Sequence, residues 1–514
     1  MQVGEQLRLA ELLAALSVTT DLAMGQAPEK AVRATVVATE LARHLGLSER
    51  DVADVYYATL LKHLGCTATS HEEAEAFGPD DLEMRVVAER IDDTRPSDAF
   101  ELLRLTGRGA GLRRAGYVAR AAVHGKRVSA GIYTAICEVA TLMSDRLGLG
   151  PPVGQALAQM IERWDGKGAP KGLRGEEIAV AARIAEPATL AVIFDRLGGP
   201  DVALEVVGRR AGAMLDPAVC RAFRAVGPPT LQRLAEADPW TAVLDLEPEP
   251  VRTIGEGELE RVGEAFGDMV DLKTAFTLGH SSSVADLASD AAERLGSTDA
   301  GRVRLAGLFH DLGRAGVGAG VWEKRGPLTA AEWEQVRLHP YHSERILARS
   351  VALEPLARIA GMHHERRDGS GYHRGASAQE ASTEAAVLAV ADAFHAMTEQ
   401  RAHRPAMSAE MAADTLSAEA RSGRFDPEVV GAVASAAGQR ARPVRTAWPA
   451  GLSDREVEVL RLVARGLSNK SVAADLVISP RTAEHHVQHI YAKVGVSTRA
   501  AAAMFAMQHG LLRA

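Results

Sequence analysis

The sequence predicts an all-α fold built from several helical domains. Alanine-rich stretches with apolar residues at helical spacing dominate the chain, and alternating runs of β-branched residues are few. At 514 residues the chain is much longer than one ordinary domain, so it should fold as more than one unit. We expect two tandem helical domains followed by a smaller domain of four helices.

Two segments without a helical pattern predict the domain boundaries. The segment at 245–250 is acidic and contains two prolines, and the segment at 440–449 combines two prolines with three arginines. Prolines in such surroundings do not continue a packed helix. The predicted domains are therefore 1–245, 246–439 and 450–514, with 440–449 as a linker.

The cysteine content and the apolar runs predict the compartment. Cys66, Cys137 and Cys220 are too few and too scattered for a disulfide framework or a thiolate metal site. The sequence shows no charged-then-apolar leader and no uninterrupted apolar run of the ~20 residues that a membrane helix needs. We therefore expect a cytoplasmic protein without membrane contact.

The formal net charge of −8 is unevenly distributed along the chain. The segment 440–514 carries 11 Lys and Arg against 5 Asp and Glu, a charge of +6, which leaves −14 on the remainder. A basic tail on an acidic body indicates that any contact with a polyanion is made by the tail.

An internal repeat connects the first two predicted domains. Three pairs of segments match in the same order, namely Glu162–Pro170 with Glu365–His373, Leu60–Gly65 with Leu308–Gly313, and Leu215–Pro217 with Phe425–Pro427. This order predicts that one helical module has been duplicated.

The second copy concentrates candidate metal ligands, since nine of the 17 histidines lie between His280 and His403. The candidate ligands are His280, His310, Asp311, His339, His363, His364 and Asp392. Imidazole and carboxylate without thiolate suit Fe, Mn or Zn, and seven ligands exceed what one ion normally takes. Two metal ions are therefore expected, an arrangement that suits attack of a bridging hydroxide on a phosphate ester.

Further residues of the second copy are candidates for substrate contact. We assign catalytic roles to His310 and Asp311 at the metals and to Arg314 and Arg366 on phosphate oxygens, because arginine gives a bidentate grip. The glycines next to Asp368 allow a loop to approach a ligand closely. The candidate ligand-binding residues of this loop are Asp368, Gly369, Gly371 and Tyr372.

Several motifs of the second copy follow one another in a specific order. They are His280-Ser-Ser-Ser-Val-Ala, His310-Asp-Leu-Gly-Arg, Gly326-Pro-Leu-Thr, His339-Pro, His363-His-Glu-Arg-x-Asp-Gly-x-Gly-Tyr and Ala391-Asp-Ala-Phe. With these motifs, residues 250–437 resemble an HD-GYP domain, a branch of the HD phosphohydrolases. The resemblance implies a helical domain whose two- or three-metal centre hydrolyses cyclic di-GMP to a linear dinucleotide or to GMP. It also assigns the seven candidate residues as metal ligands.

The second copy departs from the family pattern at three positions. His373 stands at the signature proline, Arg314 at the usual lysine, and Phe276 where some members place a glutamate for a third ion. We therefore expect two ions. Arg314 keeps the charge of lysine with a different shape, which leaves the substrate less defined than the metal site. His342 is an alternative ligand that we interpret as a surface residue.

The first copy lacks this ligand set. Aligning the repeat places Lys30 at His280, Lys62 and His63 at His310 and Asp311, Met160 and Ile161 at His363 and His364, and Ala188 at Asp392, with no clear counterpart of His339. Lysines and aliphatic side chains cannot form the same centre. The first copy is predicted to be catalytically inactive, either a ligand sensor, a dimerisation platform or a packing scaffold.

The segment 450–514 carries the start and stop signals of four short helices. Ser453 to Glu456 is a capping box, and Ser468 and Ser479-Pro480 are further N-terminal signals. Gly466 and Gly495 are placed where helices end, and Ser497 is the expected cap of the fourth helix. Two short helices, a tight turn and a third helix with a polar outer face are typical of a helix-turn-helix that enters the major groove.

The residues of this segment also resemble a known DNA-binding family. Leu452-Ser-x-Arg-Glu-x-Glu-Val-Leu, Gly466-Leu-Ser-Asn-Lys, Ser479-Pro-Arg-Thr, His486-Val-x-x-Ile and Lys493-x-Gly-Val are similar to the LuxR-type helix-turn-helix. The predicted DNA-binding residues are Lys470, Arg481, Thr482, Glu484, His485, Gln488, Lys493 and Arg499. The cationic ones are expected to contact phosphates, and Glu484 favours a cytosine amino group.

The sequence thus predicts a transcription regulator in which a nucleotide-hydrolysing or nucleotide-sensing module controls a DNA-binding tail. Two alternatives stay open, a phosphodiesterase whose tail only localises it and a regulator that binds a nucleotide without turnover. The expected partners are duplex DNA, a nucleotide, and a second copy of the chain in a homodimer.

Overall fold

The computed structural model describes residues 7–92, 95–377, 379–439 and 448–512. Within these ranges the chain forms α-helices and short 3-10 turns and contains no β-strand, so the all-α prediction is confirmed. The chain divides into two compact units, Met1–Glu258 and Leu259–Ala514. The predicted boundary near residue 245 stays a prediction, and most of the predicted linker, 440–447, lies outside the described residues.

The first unit contains twelve α-helices and the start of a thirteenth among its described residues. They are α1 (Leu9–Ala23), α2 (Lys30–His44), α3 (Glu49–Leu60), α4 (Ser70–Phe77), α5 (Asp81–Ala88), α6 (Pro96–Leu105), α7 (Arg114–Arg146), α8 (Pro151–Leu157), α9 (Val180–Gly198), α10 (Pro200–Arg209), α11 (Pro217–Glu236), α12 (Pro239–Asp245) and α13 (Glu256–Asp271). Helices α2, α3 and α9 pack on one another and form the centre of the unit.

The second unit begins within α13 and continues with twelve further helices in the described residues. They are α14 (His280–Arg294), α15 (Ala300–Phe309), α16 (Ala319–Trp322), α17 (Ala330–Leu347), α18 (Glu354–Ala360), α19 (Thr383–Thr398), α20 (Ala409–Arg421), α21 (Pro427–Gln439), α22 (Asp454–Ala464), α23 (Asn469–Asp475), α24 (Pro480–Val494) and α25 (Arg499–Gln508). Helix α14 packs against α15, α19 and α21, which places its N-terminal histidine in the interior.

A glycine explains how α17 reaches the centre of the second unit. A Cβ atom on Gly313 would lie 2.0 Å from the carbonyl oxygen of His339 in α17. Only glycine permits this approach, because real Cβ atoms do not come so close to a backbone oxygen. The glycine that follows His310 and Asp311 therefore serves to bring His339 beside them.

Equivalent contacts in the two units support the predicted duplication. A Cβ atom on Gly65 would lie 2.1 Å from the carbonyl oxygen of Ile136, as it would for Gly313 and His339. In both repeats a glutamate, Glu162 or Glu365, accepts two backbone N–H groups of the loop that follows it. Ile136 is therefore the counterpart of His339, which the sequence alone left unassigned.

One aligned position of the first copy has to be corrected. The ammonium group of Lys62 forms a half-buried ion pair with Glu186 on α9, as His310 faces Asp392 on α19. Helices α9 and α19 begin 203 positions apart, as Glu162 and Glu365 do, so Thr189, one residue after the predicted Ala188, is the counterpart of Asp392. Glu186 lies three residues before Thr189 on the same face of α9.

A buried carboxyl group in the first unit makes stability depend on pH. Asp21 accepts a hydrogen bond from the backbone N–H of Ala31, and burial raises the pKa of Asp21 from 3.8 to about 7. A raised pKa in the folded state means that its stabilising contribution is complete below about pH 4 and is lost as the pH rises through 7.

We expect Asp21→Asn to remove this part of the pH dependence. Between pH 4 and 8 the wild type should lose up to about 4 kcal/mol of unfolding free energy through this group, and the variant should lose correspondingly less. Urea denaturation at several pH values measures the difference. The exposed Asp201→Asn on α10 is the control, and equal slopes for Asp21→Asn and wild type would contradict the assignment.

The C-terminal helices confirm most of the predicted caps. Ser453 and Glu456 form the capping box of α22, and the Ser468 and Ser479 side chains accept backbone N–H groups at the starts of α23 and α24. The fourth cap was assigned one residue too early, because Thr498, rather than Ser497, accepts the backbone N–H of Ala501. An apolar core that includes Leu460, Val472, Ala483, Val487 and Ile490 holds the four helices together.

All three cysteines are free and buried. Among the described helices, none combines the length and apolarity that crossing a bilayer requires.

Candidate metal centre and nucleic-acid interface

The seven predicted ligands come from five places in the second unit and meet in its interior. Their positions are His280 at the start of α14, His310 and Asp311 after α15, His339 within α17, His363 and His364 after α18, and Asp392 within α19. Six are buried, and the His364 side chain is about one-fifth exposed. Packing of α14 against α19, and of α17 against α18 and the turn that follows Asp311, thus brings together residues up to 112 positions apart in the chain.

The carboxylate of Asp311 lies between two groups of histidines. Its Oδ1 atom is 3.3 Å from Nε2 of His339 and 3.6 Å from Nε2 of His363. Its Oδ2 atom is 3.6 Å from Nε2 of His280 and 3.5 Å from Nε2 of His310. A carboxylate with one oxygen facing each group is suited to bridge two cations.

Two sets of donor atoms fit two ions. One set combines His280, His310 and Asp392, and the other combines His339, His363 and His364, each with its donor atoms within 4.8 Å of one another. The Nε2 atoms of His339 and His363 lie 3.1 Å apart, a spacing at which two lone pairs repel unless a cation or proton lies between them. His342 joins neither set among the described residues.

Backbone carbonyl groups on the side away from the centre fix the orientation of three histidine rings. The Nδ1 atoms of His310, His339 and His363 lie 2.6–2.7 Å from the carbonyl oxygens of Gly307, Val336 and Ala360, three residues earlier in each case. A carbonyl can only accept, so each Nδ1 donates and each Nε2 presents its lone pair to the centre. Metal-binding histidines are held in this way, which fixes the tautomer that a cation needs.

The buried Nε2 atoms of His280 and His310 have no hydrogen-bond partner. Buried polar atoms normally have a hydrogen-bond partner, so two buried nitrogen atoms without one are suited to bind a cation. The same two atoms face carboxylate oxygens of Asp311 and Asp392. The residues present therefore fit the metal ions that the ligand set predicts.

Burial and neighbouring charges set the protonation of the centre. Burial lowers the pKa of His363 to about 3 and the pKa of His364 well below its usual value, so both rings are neutral at pH 7. Burial acts in the opposite direction on Asp311, but His310 and Arg314 hold the pKa of that carboxyl well below its usual range. The neutral imidazoles of His363 and His364 and the ionised carboxylate of Asp311 are the protonation states that divalent cations require. At His280 burial is outweighed by Glu399 and Asp392, which raise the pKa of that imidazole to about 10.

Sequence reasoning missed three residues behind His280. Nδ1 of His280 lies 3.1 Å from Oε2 of Glu399, and the same oxygen accepts a 2.6 Å hydrogen bond from Arg401. His395 also lies 3.1 Å from that Nδ1 atom. The signal was present, because Asp392, His395 and Glu399 stand at the i, i+3 and i+7 positions of one helical face.

Glu399 therefore occupies the place of an outer-shell carboxylate that orients a ligand histidine. A bound divalent ion would displace the proton from Nε2 of His280, which faces the donor set with His310 and Asp392. Its Nδ1–H is left to donate to Glu399. We interpret the group of His280, His395 and Glu399 as support for the first ion rather than as a third metal site.

We expect Glu399→Gln to weaken metal binding by about 10- to 100-fold, the range typical for loss of an outer-shell partner. Competition with a chelator, read as metal content, measures the effect independently of turnover. The exposed Glu410→Gln in α20 is the matched control. Unchanged metal affinity in the Glu399 variant would show that the carboxylate does not support His280.

The two predicted catalytic arginines are both held beside the centre. Arg314 donates a 2.9 Å hydrogen bond to Asp311, and its guanidinium lies 4.2 Å from the ring centroid of Trp322. Arg366 stacks on the Phe425 ring at 4.5 Å and donates to the carbonyl of Glu365. Arg314 thus orients the bridging carboxylate, while contacts of either arginine with phosphate stay predictions.

The predicted ligand-binding loop lies at the edge of the centre. Tyr372 stacks on the His364 ring with centroids 4.6 Å apart and meets Trp333 edge-on at 5.6 Å. Gly369 has a left-handed φ of +77°, and a Cβ on Gly371 would lie 2.4 Å from Cα of Glu365. Asp368 accepts hydrogen bonds from Ser370, so it shapes the loop.

The predicted DNA-binding residues fall into two groups. Lys470 is exposed on α23, and the outer side of α24 exposes Arg481, Thr482, Glu484, His485 and Gln488. Lys493 instead pairs with Glu456, and Arg499 donates to the carbonyl oxygens of Val463 and Leu467. Lys493 and Arg499 therefore tie the helices together, and their predicted phosphate contacts remain untested.

Comparison with known proteins identifies the part of the chain that holds this centre. Residues 264–429 match the HD domain family. Over 410 residues the chain is 30% identical to 3'3'-cGAMP-specific phosphodiesterase 3 of Vibrio cholerae. The alignment covers 79% of this chain and 89% of that relative. The chain belongs to the HD-domain phosphodiesterases. The predicted HD resemblance is therefore confirmed.

A solved structure supports the fold of this phosphodiesterase. The crystal structure of a cyclic GMP-AMP-specific phosphodiesterase of V. cholerae aligns with a TM-score of 0.59 at 26% identity. The alignment covers 84% of this chain and 98% of that chain, so it includes more than the HD module.

The C-terminal helices of the phosphodiesterase match a second family. Residues 450–506 match the bacterial regulatory proteins of the luxR family. Over 86 residues the chain is 46% identical to the probable transcriptional regulatory protein NarL of Mycobacterium tuberculosis, covering 17% of this chain and 38% of that relative. A LuxR-family regulatory domain is therefore fused to the HD phosphodiesterase module, as the sequence predicted.

Proposed function

We propose that residues 246–439 form a dimetal phosphodiesterase that hydrolyses a cyclic dinucleotide. The observation that carries the proposal is the carboxylate of Asp311, which faces one histidine set with each oxygen. The seven predicted ligands would hold two divalent ions, Fe, Mn or Zn. When bound, such a pair supplies a hydroxide nucleophile and neutralises phosphoryl charge.

The protein side chains would position the substrate for this reaction. Arg314 and Arg366 lie beside the ligands, where a guanidinium can grip the phosphate oxygens that gain charge. The rings of Trp322 and Tyr372 contact ligand histidines and Trp333 contacts Tyr372, so aromatic faces are available to a base beside the centre. The oxygen of a water molecule bonds to phosphorus while the bond from phosphorus to one ribose oxygen breaks. A proton from the water passes to that leaving oxygen, and the product is a linear dinucleotide.

The substrate is tested with two compounds in parallel. The HD-GYP resemblance implies cyclic di-GMP, and the relative with broad coverage is named for 3'3'-cGAMP. We therefore propose a 3'3'-cyclic dinucleotide as the substrate class. The full chain loaded with Mn or Fe should convert at least one of the two to a linear product that chromatography resolves. Absence of product with either compound and either metal would overturn the catalytic proposal and leave the nucleotide-binding alternative.

We further propose that the LuxR-family domain binds duplex DNA and makes the protein a transcription regulator. This proposal is supported by the polar side chains that α24 exposes and by the family match. One such helix reads few base pairs, so a homodimer on half-sites ~34 Å apart is expected. Footprinting tests this, and protection of a single half-site by one chain would contradict it.

Regulation requires that nucleotide and DNA affect each other's affinity by the same factor. We propose such coupling, with the nucleotide changing promoter occupancy. DNA affinity that does not respond to nucleotide, metal or removal of residues 1–439 would leave the alternative of an enzyme that its tail only localises.

A further inference from the structure

The first unit contains a cavity of about 570 Å³ at the position equivalent to the metal centre. Counterparts of the metal ligands line it, namely Lys62, Ile136, Met160, Ile161 and Thr189. Additional walls come from α5, from α6 and from the part of α7 that precedes Ile136. The duplicated module has therefore lost its ligands and kept a large space in their place.

This space is not built for a metal ion. The Lys62 ammonium group is paired with Glu186, and Glu89 accepts from Lys30 at 2.9 Å and lies 2.9 Å from Nε2 of His63. These carboxylates are already neutralised by protein cations. A divalent ion would have to displace buried ammonium groups, which carry positive charge themselves.

The charges that line the cavity cancel. Four cations face four carboxylates, in a lining that consists of Lys62, Arg85, Arg163 and Lys167 with Glu73, Glu89, Glu162 and Glu186. Arg85 is paired with Glu73 at 2.8 Å, and Glu162 accepts two backbone N–H groups. No positive excess remains to attract a phosphate dianion, so the lining disfavours a nucleotide.

The rest of the lining is apolar and adaptable. Four methionines, Met24, Met84, Met160 and Met214, contribute to it, and methionine adjusts readily to the shape of an apolar partner. The lining residues Leu103 and Tyr133 are 42% and 38% exposed, so apolar surface reaches the outside. The volume falls within the ~300–1,000 Å³ typical of small-molecule sites.

From these features we propose that the first unit binds an uncharged, largely apolar organic molecule in this cavity, without a metal and without turnover. The paired charges at one end supply hydrogen-bonding groups for a single polar end of the ligand, and the methionine side accepts its apolar body. This inference does not depend on the activity of the second unit.

The test uses the full chain and the neutral dye N-phenyl-1-naphthylamine, whose fluorescence rises in apolar surroundings. We expect saturable binding of one dye per chain. Ala88→Trp on α5 and Ala122→Trp on α7 place an indole at the lining from two sides, and both residues are accessible, so folding should persist. Each should weaken dye binding at least 10-fold. Ala130→Trp, exposed on α7 and outside the lining, is the matched control and should bind as the wild type does.

Three results would overturn the proposal. The first two are wild-type protein that binds no dye and dye binding that neither lining variant weakens, because the cavity would then not accept an apolar molecule. The third is displacement of the dye by 3'3'-cGAMP in the presence of EDTA, which would assign the cavity to a charged nucleotide. Retained dye binding in EDTA, without competition by the nucleotide, supports the uncharged ligand.

Discussion

Replacing Asp311 by alanine is expected to remove metal from the centre and to abolish hydrolysis. Both carboxylate oxygens would be lost from between the two histidine sets, and Arg314 would lose its buried partner. The effect should exceed the roughly 10- to 100-fold cost of removing an outer-shell partner. Metal analysis and turnover of a 3'3'-cyclic dinucleotide measure it, and circular dichroism shows that the helices persist.

Lys62→Ala is the matched control, because Lys62 occupies the equivalent repeat position of His310 in the first unit. It should leave metal content and turnover unchanged. Full turnover by the Asp311 variant would refute the bridging role. A metal ion lost from the Lys62 variant would show that the first unit also binds metal.

Changing Arg481 to glutamate is expected to weaken DNA binding about 10- to 100-fold, because a phosphate contact would become a repulsion. Arg481 is exposed at the first turn of α24, where it faces solvent. The weakening should apply across DNA sequences, and the dependence of affinity on salt should become shallower by about one unit or more. Titration of labelled duplex at several salt concentrations provides both measurements.

The control for this variant is Arg358→Glu on α18, an exposed arginine in the HD module with a side chain 75% accessible. It makes the same change in net charge, so a general electrostatic effect would affect both variants equally. Metal content and hydrolysis should stay at the wild-type level in each. Equal DNA affinity of the two variants would remove Arg481 from the interface.

The sequence alone determined the features that depend on the spacing of neighbouring residues. The capping box of α22 and the serine caps of α23 and α24 follow from residues a few positions apart, so tertiary structure was not needed to predict them. The repeat follows from three short motifs that recur in the same order. The seven ligands were also predicted from motifs, since each motif places its side chain at the end or on one face of a helix. The fourth cap was misplaced by one residue, because Ser497 and Thr498 are both cap formers and only the backbone shows which one accepts the N–H of Ala501.

The tertiary structure decided how distant groups face one another. Asp311 bridges two histidine sets because Gly313 lets α17 approach, and Glu399 supports His280 because α14 and α19 pack together. These relations join residues 26 to 119 positions apart, and no local pattern records which lone pair points at which oxygen. The same reason hid the Lys62–Glu186 pair and the cavity of the first unit. Both depend on helix packing, which spacing along the sequence does not encode.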